Sequence, residues 1–190
     1  MFKGASWTIL LAIGCTLVPF GVVAETLDSE TTQIVMLGTG TPNPFPDRSG
    51  PSVAIVVNDE PYLIDFGPGV VRQASAMSPE YGGSVEGLAV EKIKHAFLTH
   101  LHSDHTVGLP DLILTAWTAG RDEPLRLFGP EGAKHMADKV LEAYEEDIRY
   151  RLYSEQPANN EGWRVETHEI RETGLVFEDD NVKVEAFRVP

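Results

Sequence analysis

The stretch HAFLTHLHSDHTVGLPDL, residues 95 to 112, constrains this chain more than any other. Four of the six histidines, His95, His100, His102 and His105, fall within eleven residues, together with Asp104. KIKHAFLT reads as a buried strand, and LPDLILTAWTAG as a helix closed by Gly120. His100 and His102 sit two apart on a chain leaving that strand, so their imidazoles can point the same way. Asp104 and His105 follow one turn-forming residue, Ser103, and can aim at a point nearby. Neutral imidazole and carboxylate suit zinc, with manganese or iron as rivals. Four ligands this close cannot all surround one tetrahedral ion. Paired as His100 with His102 and Asp104 with His105, they supply half of each of two adjacent sites. The plainer alternative is a polar loop with surface histidines. His95 lies inside the strand and is expected in the core or behind the ligands, whereas His135 and His168 are expected at the surface.

The remaining chain alternates strand and helix patterns. QIVMLGTGTP is a strand ending in a Gly-Thr-Gly-Thr-Pro turn, and NPFPDRSGP is a loop. SVAIVV and PYLIDFG form a hairpin about Asn58 and Asp59. PGVVRQASAM is a short helix, and PLRLFGP is another strand. EGAKHMADKVLEAYEEDIRYRL reads as one long helix with Met136, Val140, Tyr144 and Ile148 on a single stripe. WRVETHEI, GLVFEDD and NVKVEAFRVP give two or three more strands, so the chain is of the α/β class.

The first 24 residues stand apart. Lys3 precedes the uncharged apolar run WTILLAIGCTLVPFGVVA, and the Val-Val-Ala exit marks an export signal cleaved after Ala24. Residues 25–32 then form a short leader and residues 33–190 the folded domain. Cleavage removes Cys15, the only cysteine, and leaves no stable membrane span. Neither disulfides nor thiolate ligands remain available. Removing Lys3 leaves 14 basic against 29 acidic residues, a net charge of −15. Such a field opposes phosphate backbones at long range, which disfavours nucleic acid as a partner.

THLHSDH resembles the signature of the metallo-β-lactamase superfamily, and its final histidine makes it similar to ribonuclease Z-like hydrolases. MLGTGTPNPFPDRSGPS resembles their opening strand and loop, LIDFGPG their Asp-bearing strand end, and LFGPEG their strand-to-helix turn. The resemblance implies an αββα sandwich. It also implies that His100 and His102 bind a first metal, and Asp104 and His105 a second, most simply as two Zn2+. By the same resemblance Asp104 accepts the proton of an attacking water, and Asp65 supports the ligand loop from behind. In that family a third histidine follows a strand like VKVEAFRVP, and this chain stops at Pro190. The expectation is therefore the N-terminal half of a longer enzyme, lacking three ligands, with weak metal affinity and one sheet face uncovered.

Export together with strong acidity points to a metal-dependent hydrolase acting on an exported small-molecule ester, either a phosphodiester or an aryl sulfate. The alternatives are a tRNA 3′-processing endonuclease-like protein, a non-catalytic metal-binding fragment and a secreted binding domain. A homodimer stays open.

Overall fold

The structure, a computed structural model, describes residues 32–154 and 158–189. The export segment, most of the short leader and Pro190 lie outside the described residues. A six-stranded sheet runs in the order β1 (Thr32–Gly38), β2 (Ser52–Val57), β3 (Glu60–Ile64), β4 (His95–Phe97), β5 (Leu125–Pro130) and β6 (Val165–Ile170). β1, β2 and β3 are antiparallel neighbours, whereas β3 through β6 are parallel. Asn58 and Asp59 take φ of 51° and 61°, the left-handed pair that closes a two-residue hairpin between β2 and β3.

Period-two alternation sorts the side chains of the sheet into two faces. Ala54, Val56, Leu63, Ala96 and Leu127 point to one side. They pack there with α1 (Val70–Met77), α3 (Leu109–Ala119) and α4 (Ala133–Ala143). On the other side Tyr62, Phe97 and Phe128 form a second core, covered by the hairpin of β7 (Gly174–Glu178) and β8 (Lys183–Ala186). Phe177 meets Tyr62, His95, Phe97 and Phe128, with ring centroids 4.9–6.1 Å apart. This cover is partial. Ile34 and Met36 on β1 stay 70% and 59% exposed on the sheet's second face.

Arg121 locks the helical layer from inside. It is 1% exposed, and its guanidinium donates to the carbonyls of Ile93, Leu112, Ile113 and Gly162 at 2.8–3.2 Å. Burial with no carboxylate partner lowers its pKa to about 10.

Three sequence expectations change in detail. The long helix divides at Tyr144 into α4 and α5 (Glu145–Tyr153). The turn there buries Ile148 and leaves Tyr144 41% exposed, so the fourfold stripe does not continue as one face. KIKHAFLT yields only three strand residues, because Val90–Lys92 form a 3-10 turn just ahead of them. Between β4 and α3 lies the single turn α2 (Ser103–Thr106), which carries Asp104 and His105. His95 is a core residue, stacked on Tyr62 at 5.4 Å; it starts β4, whereas the ligand loop leaves that strand's other end. His135 and His168 are exposed, with His168 stacked on Phe128 at 4.7 Å.

Candidate metal centre

The ligand-bearing loop leaves the carboxyl end of β4, where parallel strands of an α/β sheet present their sites. Asp65, just past the end of β3, holds it. Asp65 is 6% exposed with φ +56°, a left-handed geometry that Asp tolerates better than most side chains. That geometry turns its carboxylate across to the neighbouring strand end. Oδ1 accepts the Thr99 amide at 2.8 Å, and both oxygens lie within 3.0 Å of the Thr99 hydroxyl. His105 donates its Nδ1 proton to Oδ2 at 2.7 Å. The Asp65 carbonyl in turn accepts the buried Ser52 hydroxyl at 2.9 Å.

Backbone contacts fix the loop as well. The Phe66 amide donates to the His105 carbonyl, and the Gly108 amide to the Phe66 carbonyl, both at 2.9 Å. Gly67 lies against the Asp104 carbonyl and Gly50, leaving no room for a Cβ. Gly108 is in the same position against the carbonyls of Phe66 and Gly67. Sequence reasoning gave no role to these glycines, nor to Thr99 and Ser52. Thr99 opens the THLHSDH motif, but nothing in the sequence shows which strand end it will face.

The four ligand-type side chains come together in two pairs. His100 Nε2 faces His102 Nδ1 at 3.1 Å. His105 Nε2 faces Asp104 Oδ2 at 3.6 Å. Two nitrogens sharing a tetrahedral zinc at ordinary bond lengths stand about 3.3 Å apart, so both pairs have ligand-like spacing. The His100 and His105 ring centroids are 4.1 Å apart, which makes the pairs neighbours. Among the described residues no group of three or more His, Cys, Asp or Glu side chains is arranged to hold an ion. The donor chemistry fits a metal, and each pair by itself would fill only part of a coordination sphere.

A groove of about 1120 Å³ opens between the large sheet and the β7–β8 hairpin. Thr99, Leu98, Pro130 and Glu131 line it at the ligand-loop end; Arg171, Lys183 and Arg188 also border it with Glu172 and Glu185, Lys183 being paired with Glu185 and Arg171 with Glu169.

A partly parallel sheet with a His-x-His-x-Asp-His loop at its carboxyl edge defines a class of metal-handling α/β folds. The profile of the metallo-beta-lactamase superfamily matches residues 45–179, and the chain belongs to that superfamily. It is 35% identical over 155 residues to a ribonuclease Z of Mycobacterium marinum, across 80% of this chain and 52% of that protein. It is 37% identical over 123 residues to a ribonuclease Z of Mycobacterium bovis, across 63% and 41%. Human tRNase Z, short form, shares the fold with a TM-score of 0.61 at 24% identity, covering 82% of this chain and 58% of that one. The chain thus spans about half the length of the ribonuclease Z relatives it matches.

These similarities overturn one expectation, a small-molecule ester partner with nucleic acid disfavoured. The relatives carry the name of a ribonuclease. Whole-chain charge misled because it sums over the entire surface, whereas a phosphodiester is gripped locally. Asp59, Asp122, Glu123, Asp179 and Asp180 crowd the edge of the sheet opposite the ligand loop. The carboxylates of α5 likewise follow a helix that starts at the ligand-loop edge and runs away from it.

Proposed function

We propose that the protein is a metal-dependent hydrolase of RNA phosphodiester bonds, of the ribonuclease Z type, with a tRNA precursor as substrate. His100 and His102 would hold one metal and Asp104 and His105 a second, zinc being the choice that suits these donors. One observation carries this reading: a single buried carboxylate, Asp65, holds the loop that presents all four donors. Support from behind of this kind is what orients metal-binding imidazoles.

Bound divalent cations supply Lewis-acid charge and lower the pKa of water towards neutrality. The chain's own residues do the rest. His100 and His105 point their Nε2 atoms at the shared space, because their Nδ1 atoms are engaged by Thr99 and Asp65. Asp104 presents Oδ2 beside that space, where it orients a water and takes its proton. The phosphodiester enters from the open groove, whose border mixes Arg171 and Arg188 with Glu131, Glu172 and Glu185.

The test is incubation of the zinc-loaded full-length protein with a 3′-extended tRNA precursor. Cleavage that disappears in His100→Ala and Asp104→Ala is the expected result. Zinc-loaded protein that neither binds nor cuts any RNA would overturn the proposal.

A second reading, metal binding without turnover by the 190-residue chain, is favoured by the pairing of only two donors per site. Bound zinc with no RNA cleavage by this chain would select it. Export after Ala24 is a separate proposal that competes with a tRNA precursor as substrate, since an exported protein would meet RNA only outside the cytoplasm; N-terminal sequencing of the mature protein would check it.

A further inference from the structure

Asp65 reaches His105 directly, but its contact with the other ligand pair is indirect. The Thr99 hydroxyl lies 2.8 Å from Asp65 Oδ2, 3.0 Å from Oδ1 and 2.9 Å from His100 Nδ1. A hydroxyl has one proton to give, and an ionised carboxylate can only accept. The Thr99 proton is therefore committed to Asp65. Its oxygen can then only accept from His100, so His100 Nδ1 must carry the ring proton and Nε2 must carry the lone pair. His105 reaches the same state by donating Nδ1–H to Asp65 Oδ2 at 2.7 Å.

We infer that Thr99 is a positioning residue that relays the Asp65 carboxylate to His100, so that one carboxylate sets the ring tautomer in both metal half-sites. This inference rests on the metal-binding reading above. The relay has a consequence that separate supports would not give: changing one hydroxyl weakens the His100–His102 pair and leaves the Asp104–His105 pair in place. Thr99 holds the backbone bond from its amide to Asp65 Oδ1 whatever its side chain, so that bond survives substitution. The hydroxyl contribution can be isolated.

The experiment compares the full chain with Thr99→Val, which removes the hydroxyl at nearly constant shape, and Thr99→Ser, which restores it. Long-range 15N–1H NMR of the imidazoles in chelator-treated protein reads each ring's tautomer without any metal. Zinc titration against a competing chelator reads the affinity of the two sites separately. The expected result is a His100 ring held as the Nδ1–H form in the parent and in Thr99→Ser, and a mixture of tautomers in Thr99→Val. His105 stays Nδ1–H in all three. The weaker or stronger zinc step assigned to His100 falls by about 10- to 100-fold in Thr99→Val only. An unchanged His100 tautomer in folded Thr99→Val overturns the relay, and so does an equal loss in Thr99→Ser. A shifted tautomer in a protein that binds no zinc in any form upholds the relay and sinks the metal-binding reading instead. If Thr99→Val does not fold, Thr99→Ser with an Nε2–H His100 overturns the relay by itself.

Discussion

His105 and Asp65 stand forty residues apart in the chain and 2.7 Å apart in space. The bond joins the end of β3 to α2 and passes under the loop that carries the other ligand-type residues. Asp65→Asn keeps the size and the left-handed backbone, which Asn tolerates, but removes the charge. A hydrogen bond to a charged group contributes about 1.5–3 kcal/mol, so unfolding in urea should show a loss of that order. Zinc affinity should fall about 10- to 100-fold with it. Asp65→Ala should cost more, since it adds strain at φ +56°. Equal urea midpoints for the parent and Asp65→Asn would show that the carboxylate is dispensable.

Gly67→Ala tests the loop without touching a ligand. The added methyl meets backbone atoms of Asp104 and Gly50, which cannot rotate away. The ligand loop has to shift as a body. We expect zinc affinity to fall at least 10-fold while far-UV circular dichroism stays near that of the parent, a loss in keeping with the precision metal ligands require. Gly82→Ala is the control, because its site is open; its φ of +87° brings strain but no collision.

Tyr62 donates to Asp179 at 2.6 Å and ties the hairpin turn to the large sheet. Burial raises the Tyr62 pKa, and the hydrogen bond to Asp179 raises it further. The Asp179 carboxyl is pushed up by burial but pulled down by more, through hydrogen bonds from Tyr62, Val182 and Asn181. A raised phenol pKa stabilises the fold fully below the unfolded value of about 10, and that contribution is lost as pH climbs past it. A depressed carboxyl pKa stabilises the fold above about 3.9, and that contribution is lost as pH falls through the lower folded value. Tyr62→Phe should therefore lower stability by about 1 kcal/mol between roughly pH 5 and pH 9. The gap between the two proteins should close at both extremes in pH-dependent urea titrations. A gap near zero at every pH would show that the bond contributes nothing, and a constant non-zero gap from pH 3 to pH 11 would show that its contribution is not tied to these two ionisations.

Arg121→Lys should destabilise by about 3 kcal/mol or more, because an ammonium cannot reach four carbonyls that the planar guanidinium spans. Thermal melts should show a lower midpoint with unchanged metal affinity, since the residue lies in the helical layer away from the ligand loop.

The apolar strands β2 and β3, the hairpin at Asn58 and Asp59, and the glycine-closed helix α3 were all legible, because each depends on residues within a few positions of one another. The spacing of His100, His102, Asp104 and His105 also named the chemistry of the site, since donor type is a property of each side chain. Three-dimensional packing decided the rest. It placed Asp65 against Thr99 and His105, aligned the glycines that let two backbones touch, and broke the long helix at Tyr144. Asp65 meets Thr99 and His105 because of which strand ends lie side by side, and that is set by sheet order across 34 and 40 residues of chain, beyond the reach of any local pattern.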